Sequence, residues 1–199
     1  MNKLFVLMGK SASGKDTIYK KLLEDKRISL KTIVPYTTRP IRHEEKEGVE
    51  YHFVSCDKFE EMKENKLVIE SRDYQTVHGV WSYFTAYDGQ FSQENSKDNY
   101  LMINTLNGYE QIRDYFGKDN VVPLYIYVED GIRLTRALKR ERRQKVPKYA
   151  EMCRRYLADD EDFSKDNLEK AGIDIFYDNE NIERCMEQIV RCITVHSQA

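Results

Sequence analysis

The segment Gly9-Lys10-Ser11-Ala12-Ser13-Gly14-Lys15-Asp16-Thr17 sets two glycines five apart with a lysine directly after the second. That spacing suits the cradling of a phosphate. Glycine reaches backbone angles that let main-chain N–H groups approach an anion closely, and the free N–H groups opening a following helix add partial positive charge aimed at it. Lys15 is placed to meet the outer phosphates of a nucleotide. Asp16 stands where a P-loop usually carries the Ser or Thr that binds magnesium, and a carboxylate is also a good hard ligand for that ion. The context fits: the apolar run Leu4–Met8 precedes the loop, and Ile18, Leu22 and Leu23 follow it on one helical face.

A second cluster is Tyr36-Thr37-Thr38-Arg39-Pro40-Ile41-Arg42, followed by Glu45, Gly48, Tyr51 and Phe53. Two arginines three apart can grip one phosphate from two directions, because a guanidinium offers paired donors. The alternative is a solvated loop with surface ion pairs. A third cluster runs from Arg133 to Arg143 and continues at Arg154 and Arg155. There Leu134 and Leu138 form an apolar stripe, and the charges read either as a solvated helix face or as an arginine-bearing lid over a triphosphate.

Elements must position these groups. Strand-like and helix-like segments alternate, which predicts a mainly parallel sheet with crossover helices. Strands are expected at Leu4–Met8, Tyr100–Ile103, Val121–Val128 and Ile173–Tyr177. Helices are expected at 14–25, Tyr109–Phe116 and Ile182–Val195. Between the first helix and Tyr100 the texture turns β-rich: Val49, Tyr51 and Phe53 alternate with polar residues, and Lys66–Ser71 and Val80–Tyr87 look similar. A short helix capped by Asp57 and Glu60 is expected to carry Phe59 and Met62.

The chain has 199 residues, with 34 acidic against 32 basic side chains. It therefore offers no strong overall field for nucleic acid or membrane, and the basic cluster lacks interleaved aromatics. No apolar stretch approaches the ~20 residues that span a bilayer. The four scattered cysteines make no C-x-x-C pair, so reduced thiols and a cytoplasmic location are expected.

Together these residues resemble the guanylate kinase family. Its loop G-P-S-G-x-G-K-S-T is matched at Gly9, Ser11, Gly14, Lys15 and Thr17. Its acceptor-phosphate motif is matched at Thr37, Thr38, Arg39, Arg42, Glu45, Gly48, Tyr51 and Phe53, and its F-I-E at Val68-Ile69-Glu70. The resemblance implies a P-loop NTPase-type α/β fold forming one domain over 1–199. The core would comprise 1–33, 94–135 and 164–199, with a β-rich acceptor-binding insertion at 34–93 and a helical arginine-bearing lid at 136–163. It implies ATP-binding by Gly9, Ser11, Ala12, Ser13, Gly14, Lys15, Asp16, Thr17 and Asn179. It further implies acceptor-binding by Arg39, Arg42, Tyr51, Glu70 and Thr85, metal-binding by Asp16, and catalysis by Lys15, Arg39, Arg136, Arg140 and Arg155, with Arg154 the alternative to Arg155.

The implied reaction is phosphoryl transfer from ATP, with Mg²⁺, to GMP. Two alternatives stand: a kinase of another phosphorylated acceptor such as a ribose bisphosphate, and a non-catalytic protein-binding domain of the same fold. The sequence departs from the family where Pro35 replaces a phosphate-binding serine, where Val77-His78-Gly79 and the residues to Thr85 replace a G-N-Y-Y-G-S/T segment, and where Met102-Ile103-Asn104-Thr105 replaces L-D-I-D and its two carboxylates.

Overall fold

A computed structural model describes residues 3–42, 45–76, 79–91 and 98–198. Its centre is β1 (Leu4–Met8), every residue of which is buried. The period of two along a strand sends Leu4, Val6 and Met8 to one face of the sheet and Phe5 and Leu7 to the other. Two apolar cores result. On the first face pack Leu106, Tyr109 and Ile112 of α3 (Leu106–Phe116), together with Phe163 and with Leu168 of α6 (Lys165–Lys170). On the second pack Ile18 and Leu22 of α1 (Lys15–Glu24) and Cys185, Ile189 and Ile193 of α7 (Ile182–Gln198), which recur every fourth residue along one helical stripe.

The central sheet contains β2 (Lys31–Thr32), β7 (Tyr100–Ile103), β1, β8 (Val121–Tyr127) and β9 (Phe176–Asp178) in that order, and every pairing is parallel. In such a sheet ligands bind beyond the carboxyl ends of the strands. Here that edge carries the phosphate loop after β1, Asn104 after β7, Glu129 after β8 and Asn179 after β9.

A second sheet holds β4 (His52–Phe53), β3 (Tyr36–Thr37), β6 (Gly79–Ala86) and β5 (Val68–Thr76) in that order. Phe59 and Met62 of α2 (Cys56–Glu64) pack on it against Phe84 and Ala86. The remaining helices, α4 (Asp130–Arg142) and α5 (Tyr149–Asp162), carry the basic cluster.

The architecture is the expected one, with local corrections. The alternating segment 49–53 shortens to β4, because Val49 and Glu50 lie in a turn. Ser55, not Asp57, caps α2, its Oγ accepting from the Lys58 N–H. The last strand begins three residues later than expected, at Phe176. Leu134 is exposed, and the inward stripe of α4 is Arg133, Ala137 and Glu141. The expected lid boundary at 136 falls inside α4, which starts at Asp130, and the expected boundary at 93–94 lies outside the described residues.

Candidate functional site

The loop after β1 is held by close contacts at its two glycines, with the backbone of β8 at Gly9 and the side chain of Asn179 at Gly14. A Cβ on Gly9 would stand 2.7 Å from the Ile126 carbonyl oxygen, and one on Gly14 would stand 2.5 Å from Asn179 Nδ2. Gly14, with φ +88°, begins α1 in the left-handed region, and Ala12 is also left-handed at +65°. Among the described residues no side chain caps α1; the Thr17 N–H turns back to the Gly14 carbonyl at 3.0 Å, and the N–H groups of Lys15 and Asp16 before it are the ones offered to an anion. Asn179 Nδ2 donates to the Ser13 carbonyl at 2.8 Å, and its own carbonyl accepts from Arg136 Nη2 at 2.9 Å. Two buried polar atoms at the loop, Ser13 Oγ and Asn179 Oδ1, have no hydrogen-bond partner among the described residues. Gly14, Thr17, Arg136 and Asn179 together line a cavity of about 400 Å³.

Helices α4 and α5 reach this loop through carboxylates. Arg133, buried in α4, pairs with Asp130, Asp159 and Asp160, donates to the Ser11 carbonyl at 3.3 Å, and lies over the Tyr156 ring. Asp159 Oδ2 accepts from the Ser11 N–H at 2.7 Å, and Asp160 accepts from Lys10 Nζ at 2.6 Å. The Ser11 donor is therefore committed to a carboxylate. Sequence reasoning placed Arg133 only within a charge run. Its i, i+4, i+8 spacing to Ala137 and Glu141 was the available signal. Of the expected lid arginines, Arg136 lies at the loop, Arg140 is exposed one turn on, and Arg154 and Arg155 both pair with Glu151 within α5. Those two bonds hold the Glu151 carboxyl down, to about 2.

In the second sheet Arg39 is buried. Its guanidinium grips Glu45 at 2.7 and 2.6 Å, donates to the Tyr83 hydroxyl at 3.1 Å and to the Pro40 carbonyl at 3.0 Å, and lies over the Tyr51 ring. Glu45 also accepts from the Arg42 N–H at 2.9 Å, while the Arg42 side chain is exposed. The Arg39 hydrogen bond holds the Glu45 carboxyl below its usual range, and burial pushes the Tyr51 phenol up. Thus Glu45 holds the Arg39 guanidinium and the Arg42 backbone, Tyr51 lies against Arg39, and Pro35 spends its carbonyl on the His52 N–H.

Glu70 lies opposite Thr85 in the β5–β6 ladder. Its Oε1 accepts from Thr85 Oγ1 at 2.8 Å and from Asn104 Nδ2 at 3.1 Å, and its Oε2 from Arg72 Nε at 3.1 Å. Arg72 Nη1 continues to Thr105 Oγ1, the hydroxyl that caps α3. The expected pair Glu70 and Thr85 is thus together, joined by Asn104 and by Arg72, which the sequence had not singled out. Val77 and His78, whose register bears on this hairpin, lie outside the described residues.

For a metal, Asp16 and Thr17 are exposed in the first turn of α1. Among the described residues no group of three His, Cys, Asp or Glu could hold an ion. One exposed carboxylate beside an open phosphate cradle fits Mg²⁺, which usually takes one or two carboxylates and completes its shell with phosphates and water. Among the described residues, no helix is long and apolar enough to cross a membrane.

A family profile described as Guanylate kinase matches residues 1–196. The chain is 36% identical over 124 residues to a guanylate kinase from Agrobacterium fabrum, covering 62% of this chain and 53% of that protein. It is 27% identical over 205 residues to a guanylate kinase from Mesomycoplasma hyopneumoniae, covering 100% of this chain and 97% of that one. The match thus spans about half the length of the first relative and nearly all of the second. A crystal structure of a guanylate kinase from Anaplasma phagocytophilum superposes with a TM-score of 0.68 at 22% identity, over 100% of this chain and 87% of that one, which is a likeness of fold.

Proposed function

Because the chain belongs to the guanylate kinase family, we propose that it transfers the γ-phosphoryl group of ATP to a nucleoside monophosphate, GMP before others. The observation that carries this is the open cradle. An uncapped helix N-terminus, a lysine at its first residue and an unpartnered buried Ser13 hydroxyl stand together at the carboxyl edge of the sheet.

An acceptor phosphate is already an anionic nucleophile, so the protein needs no general base. Its task is to align two mutually repelling anions and neutralise them. Lys15 and the loop amides hold the outer phosphates. Asp16 or, failing it, Thr17 would supply an oxygen for Mg²⁺, which when bound would contribute neutralising charge at the phosphates. Arg136 approaches from α4, where it already touches Asn179 beside the loop. Arg39, Arg42 and Tyr51 orient the acceptor phosphate, with Glu45 fixing the Arg39 guanidinium before the substrate arrives. Arg140 and Arg155 act from the lid once it closes, which for Arg155 requires release from Glu151.

A second reading, a kinase of a different phosphorylated acceptor, is favoured by one observation: the Glu70 carboxylate is already occupied by Arg72. A screen with ATP against GMP, dGMP, AMP, UMP, CMP and ribose 1,5-bisphosphate separates the two. GMP turning over fastest supports the first reading, and an inert GMP beside a reactive sugar phosphate replaces it with the second. Absence of any ATP-dependent thermal shift would leave a protein-binding domain instead.

A further inference from the structure

Glu70 is the carboxylate that the resemblance assigns to the base, yet its side chain has no exposed surface. Its Oε1 already takes hydrogen bonds from Thr85, Asn104 and Arg72, and its Oε2 takes one from Arg72. Arg72 keeps 16% of its side chain exposed and lines a cavity of about 480 Å³ with Thr105 and Asn107, whose charged walls are Asp73, Glu110, Asp162 and Lys170. Of its five N–H groups, Nε and one on Nη2 face Glu70, and one on Nη1 faces Thr105. One N–H on Nη1 and one on Nη2 are left without an acceptor among the described residues. The group offered to a ligand is therefore a donor pair, clamped in orientation by a buried carboxylate.

Resting on the purine monophosphate reading above, we propose that Arg72 determines acceptor specificity by binding the O6/N7 edge of a 6-oxopurine nucleotide, with Glu70 as the positioning residue that holds it. A guanidinium can only donate, so its partner must present acceptors. Guanine and hypoxanthine both offer O6 and N7 side by side, and the bidentate match of arginine to that edge is a strong discriminator. Adenine places an N6 amino donor beside N7 and cytosine an N4 amino donor, which face the guanidinium with like groups. Direct reading by Glu70 makes a different demand. It would use the N1–H and 2-amino groups, and IMP lacks the second.

The test compares GMP, IMP, AMP and 7-deazaguanosine monophosphate as acceptors for the full chain and for Arg72→Ala and Arg72→Gln. The proposal expects IMP within about tenfold of GMP in kcat/KM, and a loss of about tenfold or more for AMP and for the 7-deaza nucleotide. It expects Arg72→Ala to raise the KM of GMP and IMP together by about tenfold or more, with the smaller change in kcat, and to abolish the penalty for the 7-deaza nucleotide. If the variants fail to fold, the wild-type comparison of IMP and 7-deaza substrates decides alone. GMP favoured over IMP by about a hundredfold, or an Arg72→Ala enzyme that keeps its KM for GMP and its preference over AMP, overturns the proposal while leaving GMP phosphorylation intact. A wild type inert toward every purine monophosphate but active on a sugar phosphate overturns both.

Discussion

Arg133 donates from a buried position in α4 to the carbonyl oxygen of Ser11, 3.3 Å away, so a helix distant in sequence holds the phosphate loop by its own backbone. The same guanidinium pairs with Asp159 and Asp160 of α5, and these carboxylates reach back to the Ser11 N–H and to Lys10. The loop and helices α4 and α5 thus share one charge network.

Removing its centre should act on stability and on nucleotide binding together. Arg133→Met leaves three carboxylates without their common partner. We expect a loss of about 2–3 kcal/mol, below the ~3–5 of a fully buried pair because Asp130 is half exposed. Chemical denaturation measures the loss, and a raised KM for ATP should accompany it. A variant as stable as wild type with unchanged KM would show that the network is incidental.

The metal assignment is tested at α1. Asp16→Ala should raise the magnesium concentration needed for half-maximal activity, and Asp16→Ser should partly restore it, since a hydroxyl is the weaker oxygen ligand. Identical magnesium titrations for all three proteins would transfer the role to Thr17 and water.

Acid stability should report the Arg39–Glu45 pair. Hydrogen bonding from Arg39 lowers the Glu45 carboxyl from its ordinary value of 4.5. A group lowered in the folded state contributes stability that is complete above the unfolded value and fades as pH falls through the folded one. The stability gap between wild type and Glu45→Gln should therefore be constant above about pH 5.5 and shrink below 4.5. A gap that widens on acidification would contradict the pairing.

Much of this was legible in the residues. β1 announced itself as an unbroken apolar run, and the glycine spacing of the loop matches a backbone that approaches Ile126 closely at Gly9 and turns left-handed at Gly14. Glu70 was legible as the end of the Val68-Ile69-Glu70 match, whereas its place opposite Thr85 is a matter of strand register that the structure supplies. What escaped was the set of buried charges. Arg133 looked like its solvated neighbours because its burial depends on Asp159 and Asp160, which lie 26 and 27 residues away. Arg72 is half of an ion pair that only the β5 register reveals. The strand at 49–53 was over-read because alternation within a turn mimics a strand over five residues. Helix α5 has no buried residue at all, so hydrophobic periodicity could not fix its facing.

Phosphorus NMR of the chain with Mg-ATP and GMP, run beside Lys15→Ala, tests the central claim most directly. The account predicts that ATP and GMP are consumed one for one as ADP and GDP appear, and that Lys15→Ala slows this by orders of magnitude while keeping its fold, since Lys15 is the loop residue set to meet the outer phosphates. A GMP signal that persists unchanged with the active wild-type protein, or near-normal turnover in Lys15→Ala, would contradict it.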